Sequence, residues 1–372
     1  MNNVLALINL YPNHNLGYLT ENRPMASTTL LARYAFIDFA LSNFSNSNID
    51  TIGIMVKDHA NSIYKHIGSS KTYLSNTRTG MMSFLINERG LINPVFNTDL
   101  NNIRENDYIL YDKSKEYVII SNVYFLMKMD YSKVIEEHIK SGHKVSLLYK
   151  KVDDASDFVN AKKVIADNLG NAQKIYYDDK KDSANILLDT MVIDRQFFLD
   201  IISNSDVLGD LATMNDLERY LLNYVHDGIK LIEFTGQVIF VDSFEKYFKY
   251  SINMLGNNEL LNFLFKDNSW RFYTTTHNMS PVQYGEKAKV SNSLIGNGCV
   301  INGSVKNCIL ARDVFVEEGA VLENCIIFSH SYVKSGVKLK NLVADKRVRF
   351  EYKNEIEGTF EKPLYFPRGT KA

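Results

Sequence analysis

From residue 290 onward a short period runs through the chain, and few folds can satisfy it. Val290, Ile295, Ile301, Val305, Leu310, Val316, Val321, Ile326, Tyr332, Val337, Leu342 and Val348 recur every four to six residues. Asn292, Asn297, Asn302, Asn307, Asn324 and Asn341 stand between them. Asparagine tolerates the left-handed backbone that a tight corner needs. A β-sandwich would show strict alternation over longer strands. The period therefore predicts short strands turning at corners, a parallel β-helix of the hexapeptide type with about three coils.

The start of the chain follows a different rule. Val4–Ile8 and Ile52–Val56 are short apolar runs, long enough for buried strands and too short to span a membrane. A turn-rich loop and a helical stretch lie between them. Strand, loop, helix, strand opens an α/β nucleotide-binding domain, whose ligand sits beyond the carboxyl end of the first strand. The residues after Ile8 are thus the ones on which function depends.

Further elements follow in order. Ala60–Ile67 reads as a helix ending at Gly68, and Gly68–Ile86 as a polar, mobile stretch. Glu116–Ser121 reads as a central strand, and Asp130 as the cap of a helix running to Ser141. Strands over Val145–Tyr149, Lys162–Ile165, Ala172–Tyr177 and Ile186–Ile193 precede helices over Arg195–Ser203 and Asp216–Tyr224. Trp270–Gly285 is a connector, which places an α/β domain at 1–280 and the β-helix at 281–372.

With 372 residues and 45% hydrophobic content the chain can bury two sizeable cores. Its 42 basic and 43 acidic residues point to neither a nucleic acid nor a membrane partner. Cys299, Cys308 and Cys325 form no paired motif and read as small core residues of a reduced, cytoplasmic protein. The opening residues lack a basic leader, and no run approaches a membrane span.

Several motifs carry a family resemblance. Leu19-Thr20-x-Asn22-Arg23, Arg33-Tyr34-x-x-Ile37-Asp38-Phe39, Leu41-Ser42-Asn43 and Asn46-Ser47-x-Ile49-Asp50-Thr51 resemble the N-terminal signature of bacterial glucose-1-phosphate adenylyltransferases. The resemblance implies a Rossmann-like nucleotidyltransferase domain followed by a left-handed parallel β-helix. Catalytic members read G-G-x-G-x-R-L-x-x-L-T after the first strand. Here Leu10, Tyr11 and Asn13 replace the glycines and Asn15 replaces the arginine. Side chains there block the close backbone approach a phosphate needs, Pro12 removes a donor, and Asn15 lacks a charge for pyrophosphate.

The departures continue. Asn122 to Tyr131 resembles S-G-D-H-I-Y-K-M-D-Y, whose aspartate holds the catalytic magnesium, and Tyr124 takes that place. Asn97-Thr98-Asp99 replaces a G-T-A turn at the base, and Leu188-Asp189-Thr190-Met191 replaces the S-M-G-I of the glucose site. Asp242 falls on the second metal carboxylate, but Ser243-Phe244-Glu245 follow it, and a helix cap is the simpler reading. Lys180 lies near a sugar-phosphate lysine without its neighbours and reads as a solvated turn. His330 is the one histidine between predicted coils and reads as a surface corner, which sets aside an acyltransferase.

The resemblance therefore implies a GlgD-type subunit, silent alone, with magnesium expected only in a catalytic partner and no cofactor of its own. The partner is a catalytic adenylyltransferase subunit in a hetero-oligomer, a tetramer. Arg23, Arg33 and Lys340 match or lie near positions that bind sugar-phosphate effectors. The alternative is an active or weakly active sugar-nucleotidyltransferase with an altered phosphate loop.

Overall fold

The computed structural model describes residues 3–12, 14, 16–204, 211–265, 269–276 and 278–372. Two compact units divide the chain: Met1–Asn13 with Phe39–Phe240, and His14–Asp38 with Val241–Ala372. The segment His14–Asp38 thus packs with the C-terminal residues, so the units do not follow a single boundary at residue 280.

The first unit is built on a nine-stranded sheet. Its strands are β1 (Val4–Asn9), β2 (Thr51–Val56), β3 (Met81–Ile86), β4 (Tyr117–Ser121), β5 (Val145–Val152), β6 (Lys163–Ala166), β7 (Ala172–Tyr176), β8 (Ala184–Asp194) and β9 (Lys230–Glu233). The main path runs β7-β6-β8-β4-β1-β2-β3, with β5 on β8 and β9 on β5. β1 is central and parallel to both neighbours, Ala6 beside Ile52 and Ile8 beside Ser121. All six of its residues are buried, which explains an apolar run without alternation. β2 sits so close to β1 that a Cβ on Gly53 would lie 2.7 Å from Leu7 Cδ2.

Helices α1 (Phe36–Asn46), α2 (Ala60–Ile67), α3 (Glu88–Ile92), α4 (Asp99–Glu105), α5 (Tyr131–Ser141), α6 (Arg195–Ser203) and α7 (Met214–Tyr224) are set between the strands. Asp130 caps α5, accepting from the Ser132 N–H, as its position predicts. The stretch expected to be mobile before Ile86 instead ends in a strand: β3 runs parallel to β2, Thr51 beside Met81 through Val56 beside Ile86. Its apolar residues find a sheet neighbour that local polarity upstream does not reveal. The signature residues of α1 hold backbone. Asn43 donates to the Met127 carbonyl at 2.9 Å and accepts from the Met129 N–H at 3.2 Å, and the Ser47 hydroxyl accepts from the Tyr131 N–H at 2.9 Å.

The second unit contains a hairpin of Thr29–Leu30 with Tyr34–Ala35, helices α8 (Phe244–Gly256) and α9 (Asn258–Phe265), and a left-handed parallel β-helix. Every strand pair in the β-helix is parallel, and one face stacks Gln283, Val300, Phe315, Tyr332 and Arg349. This face has five strands, so the domain has more than the three coils its apolar period suggests. The outer rungs carry exposed polar residues such as Gln283 and Glu355, which the period does not register.

Corners follow the left-handed rule. Asn292, Asn307, Asn324 and Asn341 have φ between +43° and +52°, whereas Asn297 and Asn302 do not share the conformation. Their side chains form a ladder, Asn292 to Asn307 at 2.8 Å and Asn324 to Asn341 at 3.0 Å. His330, φ +63°, is an exposed corner 3.2 Å from Asp313. Cys299, Cys308 and Cys325 are free thiols in the β-helix core. Among the described residues no helix is long and apolar enough to cross a membrane.

Candidate functional site

The carboxyl end of β1 turns inward. The Leu10 N–H continues the strand pairing by donating to the Met55 carbonyl at 3.1 Å. The Tyr11 N–H donates to Asn9 Oδ1 at 3.0 Å. The Tyr11 ring lies in the core with Leu85, Leu100 and Ile103, and its hydroxyl accepts from Asn102 at 3.1 Å. Burial pushes this phenol up to about 12, so it stays neutral. Both first loop donors are therefore committed inside the protein, and Pro12 has none. Asn13 and Asn15 lie outside the described residues.

Asp99, at the position of the expected base turn, closes the same region. It accepts from Asn9 Nδ2 at 2.9 Å and from the N–H groups of Leu100 and Met214, both at 3.0 Å. Burial raises its carboxyl, and those bonds work against the rise. The end of β1, the first turn of α4 and the first turn of α7 are thereby joined through one carboxylate.

Tyr124 follows β4 and is 2% exposed. Asn122 folds the chain there. Its Oδ1 accepts from the N–H groups of Tyr124 and Phe125, both at 3.1 Å, and its Nδ2 donates to the Leu188 carbonyl at 2.7 Å. The Tyr124 hydroxyl donates to Asp189 Oδ2 at 2.5 Å. Lys162 Nζ lies 2.7 Å from Asp189 Oδ1 and donates to both Glu218 oxygens at 2.8 and 2.9 Å. Asp189 has φ +44°, where the pairing of β8 with β5 shifts register.

This cluster is self-satisfied. Burial opposes the Lys162 ammonium, but Asp189 and Glu218 outweigh it and its pKa stands above the ordinary lysine value. Burial raises the Glu218 carboxyl, and Lys162 opposes that rise. Burial and the Asp189 carboxylate both push the Tyr124 phenol well up. The residues aligned with a metal carboxylate and a glucose pocket thus bond to one another. Lys162 and Glu218 escaped the sequence reading; the signal was a pair of lysines, Lys162-Lys163, opening a strand with an otherwise apolar context. Lys180, by contrast, is exposed.

In the second unit, Asp242 precedes α8 without capping it. Ser243 is the cap, its hydroxyl accepting from the Lys246 N–H at 3.3 Å, while Asp242 pairs with the Lys246 ammonium at 2.9 Å. The cap reading thus moves by one residue, because the shorter serine side chain already reaches the third helical N–H. These donors do not fit a magnesium ion. Tyr124 offers a hydroxyl that donates its hydrogen bond to Asp189, Asp242 is neutralised by Lys246, and no group of three or more His, Cys, Asp or Glu among the described residues could hold a metal.

The three cations aligned with effector positions have different surroundings. Arg23 is buried against Asp345, which also accepts from the Tyr365 hydroxyl at 2.8 Å. Lys340 is half-buried and pairs with Glu357 of the next coil at 2.7 Å. Arg33 lines a cavity of about 220 Å³ with Arg312, Thr274, Thr276 and Gly296. Burial lowers the Arg312 pKa, and Arg33 lowers it further. Arg312, which no motif marked, is therefore the companion of Arg33 there.

Comparison with known proteins places these observations. Residues 15–163 match the family described as nucleotidyl transferase, and residues 278–360 match that described as GlmU-like, C-terminal hexapeptide. The chain is 28% identical to the glycogen biosynthesis protein GlgD of Bacillus subtilis over 96% of its own length and 93% of that protein. It is also 28% identical to the glucose-1-phosphate adenylyltransferases of Bacillus cereus and Bacillus mycoides, over 82% of each chain.

Proposed function

We propose, for a chain that belongs to the glucose-1-phosphate adenylyltransferase family of nucleotidyltransferases, a role in glycogen synthesis as a subunit that makes no ADP-glucose itself. It acts by assembling with a catalytic adenylyltransferase subunit as a hetero-tetramer and adjusting its activity. The observation that carries this reading is the internal bonding of Tyr124, Asp189, Lys162 and Glu218 where substrate groups would have to be received. The committed N–H groups of Leu10 and Tyr11 support it. A lost preorganised donor costs ~10²–10³-fold in rate, and a phosphate-directed arginine ~10³–10⁵-fold.

The test is to assay the purified chain with ATP, glucose 1-phosphate and magnesium, alone and with a catalytic subunit. The expected result is no ADP-glucose from the chain alone and a changed kcat/KM for the mixture. Turnover by the chain alone within tenfold of a catalytic relative would establish the other reading, an active enzyme with an altered loop.

A sugar-phosphate effector belongs to the same proposal. Of the three cations expected for it, Arg33 has the open surroundings, with Arg312 beside it in the cavity. Two guanidinium groups lining one cavity favour an anion between them. Replacing Arg33 by Ala is expected to weaken activation of the assembled complex by sugar phosphates about tenfold. Replacing Lys340, whose partner is Glu357, is expected to change it little. Activation curves identical for the Arg33 variant and the parent would remove the effector site from this cavity.

A further inference from the structure

The central sheet ends at β3, and among the described residues no strand pairs with its outer side. The strand reads Met-Met-Ser-Phe-Leu-Ile, without a charge or a proline. Edges left open to water usually carry such residues to prevent pairing with another chain. The Leu85 and Ile86 carbonyls accept from Asn102 at 2.9 Å and Asn106 at 3.1 Å. No such side-chain cover meets the backbone of Met82–Phe84 among the described contacts.

The next segment projects apolar side chains from a fixed backbone. Asn87, 2% exposed, accepts from the Gly90 N–H at 2.7 Å and donates to the Phe96 carbonyl at 2.7 Å. Asn93 accepts from the Val95 N–H at 3.1 Å, and Asn97 donates to the Lys57 carbonyl at 3.2 Å. Gly90 is packed so tightly that a Cβ would lie 2.8 Å from Asn97 Cα. Held this way, Leu91, Ile92, Val95 and Phe96 are 65%, 87%, 78% and 51% exposed. Together they present on the order of 500 Å² of apolar surface, the size of the largest patches on monomers and more than half of one partner's share in a standard interface. A clamped loop loses little freedom on docking.

We propose that the β3 edge and the 91–96 knuckle form a two-fold interface between two copies of this chain, independently of its catalytic status. Three observations favour a second copy over another occupant. An open strand can pair antiparallel with its own copy across a two-fold axis, each residue meeting its counterpart reciprocally. The patch is uncharged and rimmed by Glu88 beside Arg89, so a two-fold axis sets opposite charges near one another. The net charge of −1 puts no long-range repulsion between copies.

Sedimentation velocity on the full chain across the micromolar range tests this. The parent is expected to sediment as a reversible dimer. The double substitution Ile92→Asp and Val95→Asp should raise the dissociation constant at least a hundredfold, roughly the loss of two interface anchors, with the thermal midpoint unchanged at concentrations where the parent too is monomeric. Met81→Lys, on the edge strand itself, should raise it about tenfold. A parent that stays monomeric throughout, or variants that dimerise like the parent, would overturn the proposal. So would a monomeric parent that a catalytic adenylyltransferase subunit captures through these side chains, because the face would then belong to that partner.

Discussion

At Asp189 a side chain is held in a backbone conformation that a non-glycine residue adopts at a cost of ~1–3 kcal/mol. Its compensation is local: a hydrogen bond from the Tyr124 hydroxyl and the charge of Lys162. The same lysine also neutralises Glu218, so one cation serves two carboxylates. Lys162→Met is therefore expected to destabilise the first unit by about 3–5 kcal/mol, the cost of breaking a buried ion pair from one side. Glu218→Gln should cost less, since Lys162 and Asp189 still neutralise each other. Urea denaturation followed by tryptophan-independent far-UV dichroism checks both. Equal losses for the two variants would mean that the lysine is not shared.

At the level of elements, α5 is fastened to β5 by a buried histidine. His138 Nδ1 lies 2.7 Å from the Ser146 hydroxyl, and burial is the largest cause lowering its pKa to about 4, with Asp194 opposing and His143 assisting. A folded-state value below the ordinary one means the unfolded chain binds the proton first. The contribution is full above about pH 6.5 and is lost as pH falls toward 4, at most about 3 kcal/mol. His138→Leu is expected to flatten this part of the acid limb when midpoints are compared across that window. In the β-helix the corner ladder invites a second measurement. Asn324→Ala removes its bond to Asn341 and puts a Cβ-bearing, non-bonding side chain at φ +51°, for an expected loss of about 1–3 kcal/mol.

For the whole molecule, the division of the chain matters more than the length of either domain. His14–Asp38 belongs with Val241–Ala372, so the ion pair of Arg23 with Asp345 closes a loop of more than three hundred residues within one unit. α8 is tied to the same region, with the Phe248 and Phe360 rings 5.5 Å apart. Deleting residues 290–372 therefore strips the partner from a buried arginine and one face from α8. The expected product is insoluble or lacks a cooperative thermal transition, as soluble yield and dichroism would show. A soluble, cooperatively folding fragment would instead make residues 1–289 self-sufficient.

The amino-acid sequence alone determined the two folds, because both are written in local periods. A buried central strand needs an apolar run, and a β-helix needs apolar residues every five or so positions with asparagine at its corners. It also showed that Leu10, Tyr11 and Asn13 stand where the signature this stretch resembles has glycines, a difference visible without coordinates. The signature residues beside it, such as Asn43 and Ser47, hold backbone together, which is why a fold signal persists where the loop differs. Only the tertiary structure decided what filled the altered site. Lys162, Asp189 and Glu218 come from separate stretches of the chain, and their charges acquire meaning when burial removes water and leaves them paired with one another. The same holds for Arg33 with Arg312, and for the open edge of β3. Neighbours that far apart along the chain leave no period to read.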